Sequence, residues 1–198
     1  SAVCVTGLMT VVPATQFTLL GKVVLLVLIQ IGGLGVVAVS TFFLVVIGRK
    51  ITVKERVMIQ ETYNMESLSG MVKWILRILK GTFVVEGIGA IFFAFQFIPE
   101  YGFLKGIWYS VFHSISAFCN AGIDILGADS FAAYARNPLI NLTTMILIVA
   151  GGIGYTVWFD ITDNIRNFRK KGERRRGMFK ILTLNSKVAL TMTAILIV

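Results

Sequence analysis

Residues 116–123 read SAFCNAGI, and residues 1–8 read SAVCVTGL. At an offset of 115 the two strings share Ser, Ala, Cys and Gly, and end on Ile or Leu. A second pair lies downstream: Gly32, Gly33 and Gly35 form GGLG, and Gly151, Gly152 and Gly154 form GGIG, at an offset of 119. Two matches in the same order, on nearly one offset, indicate a duplicated unit. The unit consists of a short polar segment ending in glycine, followed by a long apolar helix bearing a Gly-Gly-x-Gly cluster. Such a cluster suits close packing of a helix, or a kink in it.

The surrounding composition places that unit in a membrane. Of 198 residues, 56% are hydrophobic and 15% charged, with a mean hydropathy of +0.82. Soluble domains carry about 25% charged residues. A water-soluble enzyme and a disordered chain are therefore both excluded. Residues 23–48 carry no charge; at ~1.5 Å per residue they reach roughly 39 Å, enough to cross a bilayer with tilt. Residues 81–98, extended by the turn at 74–79, and residues 138–159 are two further spans, the first containing Glu86. Residues 99–106 read as a turn-rich break. Residues 107–123 are apolar and aromatic, but short and dotted with His113, Ser114, Ser116 and Asn120.

Charge sets the orientation. Segments 49–80 and 166–187 hold sixteen of the 19 basic residues, whereas 99–137 holds only Lys105 and Arg136. By the positive-inside rule the two basic segments are cytoplasmic and the middle segment is outside. The spans at 81–98 and 138–159 connect the two sides, so residues 107–123 must enter and leave from the outside. Parity thus requires a re-entrant loop. The expected fold is all-α: a polytopic membrane protein of repeated helix–re-entrant pore loop–helix units. Its parts are the end of pore loop 1 with its helix (1–48), a cytoplasmic amphipathic connection (49–80), a complete second repeat (74–160), a basic cytoplasmic loop (161–187) and the start of a third repeat (188–198). Both ends are expected to be cuts through a longer array.

Irregular backbone at membrane depth is tolerated only where protein or a water-filled cavity covers it. Two such segments around one axis make a constriction whose carbonyls can replace the hydration shell of a cation. Glycine permits the backbone angles this needs. Val5, Thr6, Gly7 and Leu8 would form one wall, and Asn120, Ala121, Gly122 and Ile123 another. Asp124 follows directly; it either concentrates cations at the outer mouth or caps the next turn. Glu86 is either an intramembrane functional acid or an interfacial one. His113 reads as a packed, hydrogen-bonded residue, and Cys4 and Cys119 as small buried residues behind the filter. Asp160 and Asp163 are free to pair with Arg166 or to dock a partner. Arg174, Arg175 and Arg176 are explained by topology alone, with anionic lipid or a cytosolic partner as further uses. The G-x-G-x-x-A string at 33–38 lies inside a spanning run and is not a dinucleotide site.

CVTGL and CNAGID, with IQIGGLG and GGIGYTVWFD after them, resemble the filter segments and following helices of the Ktr/Trk/HKT potassium transporters, most closely the KtrB-type membrane subunits. The resemblance covers nearly the whole chain. It implies four helix–pore-loop–helix repeats around one pathway in the plasma membrane. It also implies K⁺ uptake, in some members dependent on Na⁺, and a homodimer on a cytosolic ring of nucleotide-binding KtrA-type subunits. Filter glycines map to Gly7 and Gly122; filters three and four and the third-repeat gate lie outside this chain. No enzymatic chemistry, cofactor or nucleic-acid partner is expected; K⁺, with Na⁺ in some members, is the cargo. The rival reading is a secondary transporter built on inverted repeats with broken helices. It would put the two glycine segments on opposite sides of the membrane.

Overall fold

A computed structural model describes residues 1–35, 71–127, 129–171 and 182–197, with a few isolated positions between 36 and 70. Most of the 49–80 connection and residues 172–181 of the basic loop lie outside the described residues. The secondary structure described is helical throughout: α1 (Pro13–Gln16), α2 (Leu19–Leu34), α3 (Met71–Tyr101), α4 (Phe103–Phe118), a 3₁₀ turn at Ala132–Tyr134, α5 (Pro138–Gly152), α6 (Tyr155–Lys171) and α7 (Leu184–Ile197). The chain divides into two compact units, Ser1–Gly151 and Gly152–Val198.

In the first unit α3 is the axis. Its 31 residues extend roughly 46 Å at ~1.5 Å per residue. The stretch Lys73–Tyr101 has a mean hydropathy of 1.7, long and apolar enough to cross a bilayer. The expected break at 99–106 narrows to one residue. Pro99 lies inside α3, and the helix ends only at Gly102, whose φ of +80° turns the chain into α4. Pro99 forfeits one helical hydrogen bond, but the Gly102 N–H donates to the Ile98 carbonyl at 3.0 Å and closes the last turn. A Cβ on Gly106 would lie 2.6 Å from Ile98 Cα. Only glycine there lets α4 fold back against the end of α3.

The α3–α4 interface is aromatic. Phe93, Phe97 and Phe112 are fully buried, and the rings of Phe97, Phe112, Phe131 and Tyr109 surround His113 at 4.9–6.4 Å between centroids. Tyr134 of the 3₁₀ turn meets Tyr101 hydroxyl to hydroxyl at 2.9 Å. Gly89 brings α3 against both α4 and α5, since a Cβ there would meet Ser114 and Leu147 within 2.7 Å. The opposite surfaces are apolar and open. Leu19, Leu20, Val24 and Val27 on α2, Phe83, Ile88, Ile91 and Phe95 on α3, and Leu142, Met145 and Ile146 on α5 are all exposed. Contiguous faces of that size are unsustainable in water and normal in lipid or against other helices.

In the second unit the Asp160 carboxylate links α6 to the start of α7. Asp160 Oδ2 accepts from the Thr183 N–H at 2.8 Å and from the Thr183 hydroxyl at 2.9 Å, and its Oδ1 accepts from Asn164 Nδ2 at 2.8 Å. Thr183 in turn accepts from the Ser186 N–H at 3.4 Å at the start of α7. Asp160 thus faces the positive end of that helix. Burial alone would raise its pKa, but the hydrogen bonds from Ser186, Thr183 and Asn164 outweigh burial and hold it below the usual carboxylate range. Its stabilisation is therefore complete above the unfolded value of about 3.9 and is lost as pH falls through the lower folded value. Asp160→Ala is expected to cost about 1 kcal/mol, as for loss of a helix cap, and to speed amide exchange in α7. Unchanged α7 protection would show that the carboxylate does not hold the pair.

Candidate functional site

The two glycine segments make the same turn. After α4, the Asn120 N–H donates to the Ala117 carbonyl at 3.1 Å and the Ala121 N–H to the Ser116 carbonyl at 2.8 Å. In the first segment the Val5 N–H donates to Ala2 and the Thr6 N–H to Ser1, both at 3.3 Å. Each bond maps onto its counterpart at the sequence offset of 115. The dihedral angles repeat as well. Val5 and Asn120 have φ of +51° and +57°, and Gly7 and Gly122 have +71° and +63°. Asparagine and glycine enter this left-handed region readily; a β-branched valine does so at a cost of order 1–3 kcal/mol.

The left-handed residues alternate, at 5 and 7 and at 120 and 122, so neither segment continues as helix. Among the described residues, no donor is placed on the carbonyls of Val5, Thr6, Gly7, Asn120, Ala121 or Gly122. The segments also touch. A Cβ on Gly7 would lie 2.9 Å from the Ala121 carbonyl oxygen and 3.8 Å from Gly122 Cα, and a Cβ on Gly122 would lie 3.8 Å from Gly7 Cα.

Each segment is held from behind by the Gly-Gly-x-Gly cluster of the helix that follows it. A Cβ on Gly32 would collide with the Val3 carbonyl, and one on Gly151 with the Phe118 carbonyl. Val3 and Phe118 are again counterparts, as are Gly32 and Gly151. Gly33 receives the Cys119 side chain in the same way. The third glycines, Gly35 and Gly154, follow the helix ends with φ of +84° and +89°. The clusters are packing sites at which one helix ends, and after GGIG a new helix, α6, begins at Tyr155. Beneath the loops lies a core of Ile29, Phe112, Ala121, Ile123 and Ile125, with Val5 and Cys119 at its edge.

The remaining candidates separate by contact. Ser116 Oγ donates to the Ile123 carbonyl at 2.5 Å and accepts from the Ile123 N–H at 3.1 Å. Ile123 is buried and its carbonyl is engaged, so of that segment Asn120, Ala121 and Gly122 keep donor-free carbonyls. Asp124 accepts from the Leu126 N–H at 3.2 Å and from the Ser130 hydroxyl at 2.7 Å, which ties down the following loop. Leu8 is 78% exposed. Cys119 is partly covered by Gly33 and Glu86, but Cys4 is exposed, contrary to expectation, because no described group covers it in the corresponding way. His113 is buried in its ring cage with Nδ1 on the Tyr109 carbonyl at 2.7 Å. Asn120 Nδ2 reaches Ile148 of α5 at 3.3 Å. The anchoring role of Ser116 is one that composition could not reveal, although it stands in the repeated string; Asn120, read from the sequence as a wall residue, also ties its loop to α5.

Residues 1–198 match the family described as TrkH, cation transport protein. The chain belongs to the TrkH family of cation transport proteins. It is a membrane protein on that ground. It is 41% identical over its full length to the potassium/sodium uptake protein NtpJ of Enterococcus hirae, covering 41% of that protein. It is 37% identical over 99% of its length to the Ktr system potassium uptake protein B of Bacillus subtilis, and 34% identical over its full length to that of Vibrio alginolyticus. In both cases it covers 41% of the relative. The chain therefore spans about two fifths of these TrkH-family relatives. Their names are those of transporters, not enzymes.

The glycine contacts generate a contrast within the TrkH-family chain. Gly151→Ala places a methyl on the Phe118 carbonyl and is expected to destabilise by 1–3 kcal/mol, the usual range for overpacking. Gly87→Ala, where nothing lies within 4 Å, is expected to stabilise α3 by roughly 0.5–1 kcal/mol. Thermal unfolding of the full-length protein in detergent checks the pair; equal effects would mean that the glycine is not a loop contact.

Proposed function

We propose that the chain is the ion-conducting part of a K⁺ uptake protein, and that residues 5–8 and 120–123 are two walls of its selectivity filter. The observation carrying this reading is the pair of facing turns with donor-free carbonyls at Gly7 and Gly122. A monovalent cation leaves its water only if oxygen dipoles replace it at similar distance and number. Carbonyls already consumed by a helix could not do so; these are open. In this reading the whole protein is polytopic. Residues 107–123 dip into the plasma membrane from outside, and the basic segments lie in the cytoplasm, as the positive-inside count requires.

Each wall has a division of labour. The αL residues aim the carbonyls; Gly32 and Gly151 let the loop backbone sit against a helix; Ser116 anchors the end of the second segment next to Asp124. Asp124 holds the loop beyond the filter and adds a negative field at the outer mouth, which raises local cation concentration. Two segments are not a closed ring. The further filter segments, the homodimer and a nucleotide-binding cytosolic ring belong to the full-length protein implied by its likeness to Ktr-type subunits. The relatives' names include both potassium and sodium uptake, and Na⁺ is the natural competitor or co-ion.

The full-length protein should restore growth at low K⁺ to a host lacking K⁺ uptake. Gly122→Ser should lower K⁺ over Na⁺ preference, because a side chain at φ +63° strains the wall. Gly7→Ala should be the more damaging, since its methyl also meets the Ala121 carbonyl at 2.9 Å. Rb⁺ and Na⁺ uptake by the variants measures this. Wild-type preference in both would remove these glycines from the filter.

A further inference from the structure

Glu86 of α3 is left without a part by the reading above. Its side chain is 4% exposed. Both carboxyl oxygens accept from Gln30 Nε2 of α2, at 3.0 and 3.2 Å, and the Cys119 thiol stands 3.9 Å from Oε1. The backbone carbonyl of the same residue accepts the Ser114 hydroxyl of α4 at 2.6 Å. One residue therefore ties together α2, α4 and the first residue after α4, immediately before Asn120.

Among the described residues, no cation faces the carboxyl. The charged residue of α2, Lys22, gives its Nζ to the Ala14 carbonyl at 2.8 Å. On α3 the nearest basic residue in sequence is Lys80, which is exposed. On α4, His113 is committed through Nδ1 to Tyr109. A lone buried carboxylate without a counter-ion is costly. A second feature points the same way: Gln30 Oε1 is buried and has no donor among the described residues. A carboxylate can only accept, and so leaves that oxygen orphaned. A carboxylic acid can donate. With the amide turned about its last bond, the acid O–H would donate to Oε1 while Nε2 donates to the other carboxyl oxygen, and every polar atom of the pair is satisfied.

We propose that Glu86 and Gln30 form a neutral acid–amide pair that positions the second glycine segment and thereby sets its preference for K⁺ over Na⁺. The proposal rests on the reading of residues 120–123 as filter. Glu86 is a positioning residue here, acting through Cys119 and Ser114 rather than touching the ion. The neutral pair explains how an acid persists at this depth with no cation beside it among the described residues, and why its oxygens point at an amide.

The test uses the full-length transporter in host cells lacking K⁺ uptake, with Rb⁺ and Na⁺ uptake and membrane abundance measured for each variant. Glu86→Gln keeps a neutral hydrogen-bonding pair and should retain the wild-type Rb⁺/Na⁺ ratio. Glu86→Ala and Gln30→Leu should each lower that ratio by about tenfold, the size expected for one lost buried hydrogen bond, at normal abundance. If Glu86→Ala fails to accumulate, Gln30→Leu decides, because leucine is well tolerated in an apolar helix. An unchanged ratio in Gln30→Leu at normal abundance would overturn the positioning role. A Glu86→Gln ratio as low as that of the Leu variant would overturn the neutral pair by showing that charge is needed. A wild type that takes up neither Rb⁺ nor K⁺ would instead sink the transport reading beneath it.

Discussion

A backbone that leaves its helix inside a membrane protein loses the hydrogen bonds that made it tolerable there, and something must hold it against another surface. In this chain the holding contact is glycine against carbonyl. Gly32 stands where any side chain would strike Val3, and Gly151 where it would strike Phe118. The rest of the first unit follows from those two contacts. They bring the loop onto the helix behind it and leave its outer edge unpaired. They also set the two left-handed turns face to face at Gly7 and Gly122. Side chains do the secondary fixing, with Ser116 clamping Ile123 and Asn120 reaching α5.

Because the contacts repeat, the duplication is physical as well as textual. Ser1 and Ser116 accept equivalent N–H groups, Val5 and Asn120 adopt the same unusual φ, and the third glycine of each cluster follows its helix end in the left-handed region. The repeats are not identical. Asparagine suits the left-handed position and adds a bond to α5; valine does neither. The first segment therefore carries strain that the second does not, and its Cys4 stays exposed where Cys119 is partly covered.

Much of this was legible in the residues because it rests on glycine and on period. The shared Ser, Ala, Cys and Gly announced the turn, and the missing charges announced the apolar helices. What could not be read depends on long-range meetings. Pro99 looks like a breaker in one dimension; in the fold the Gly102 N–H completes its turn, so α3 runs on to Tyr101. By sequence Asp160 is free to pair with an arginine or to dock a partner; in the fold it reaches the start of α7 through Thr183, 23 residues away. Ile123 belongs by position to the glycine segment, yet its carbonyl is taken by a serine one helix turn earlier than the loop. The Gln30–Glu86 contact joins residues 56 apart, and no local pattern encodes it.

The most direct measurement is the position of Rb⁺ or Tl⁺, heavy substitutes for K⁺, in a crystal of the full-length protein. Anomalous density between the carbonyls of Gly7 and Gly122, lost when Na⁺ replaces the heavier ion, is the predicted result. A heavy ion bound elsewhere on the pathway, with these carbonyls facing lipid or packed protein, would contradict the account.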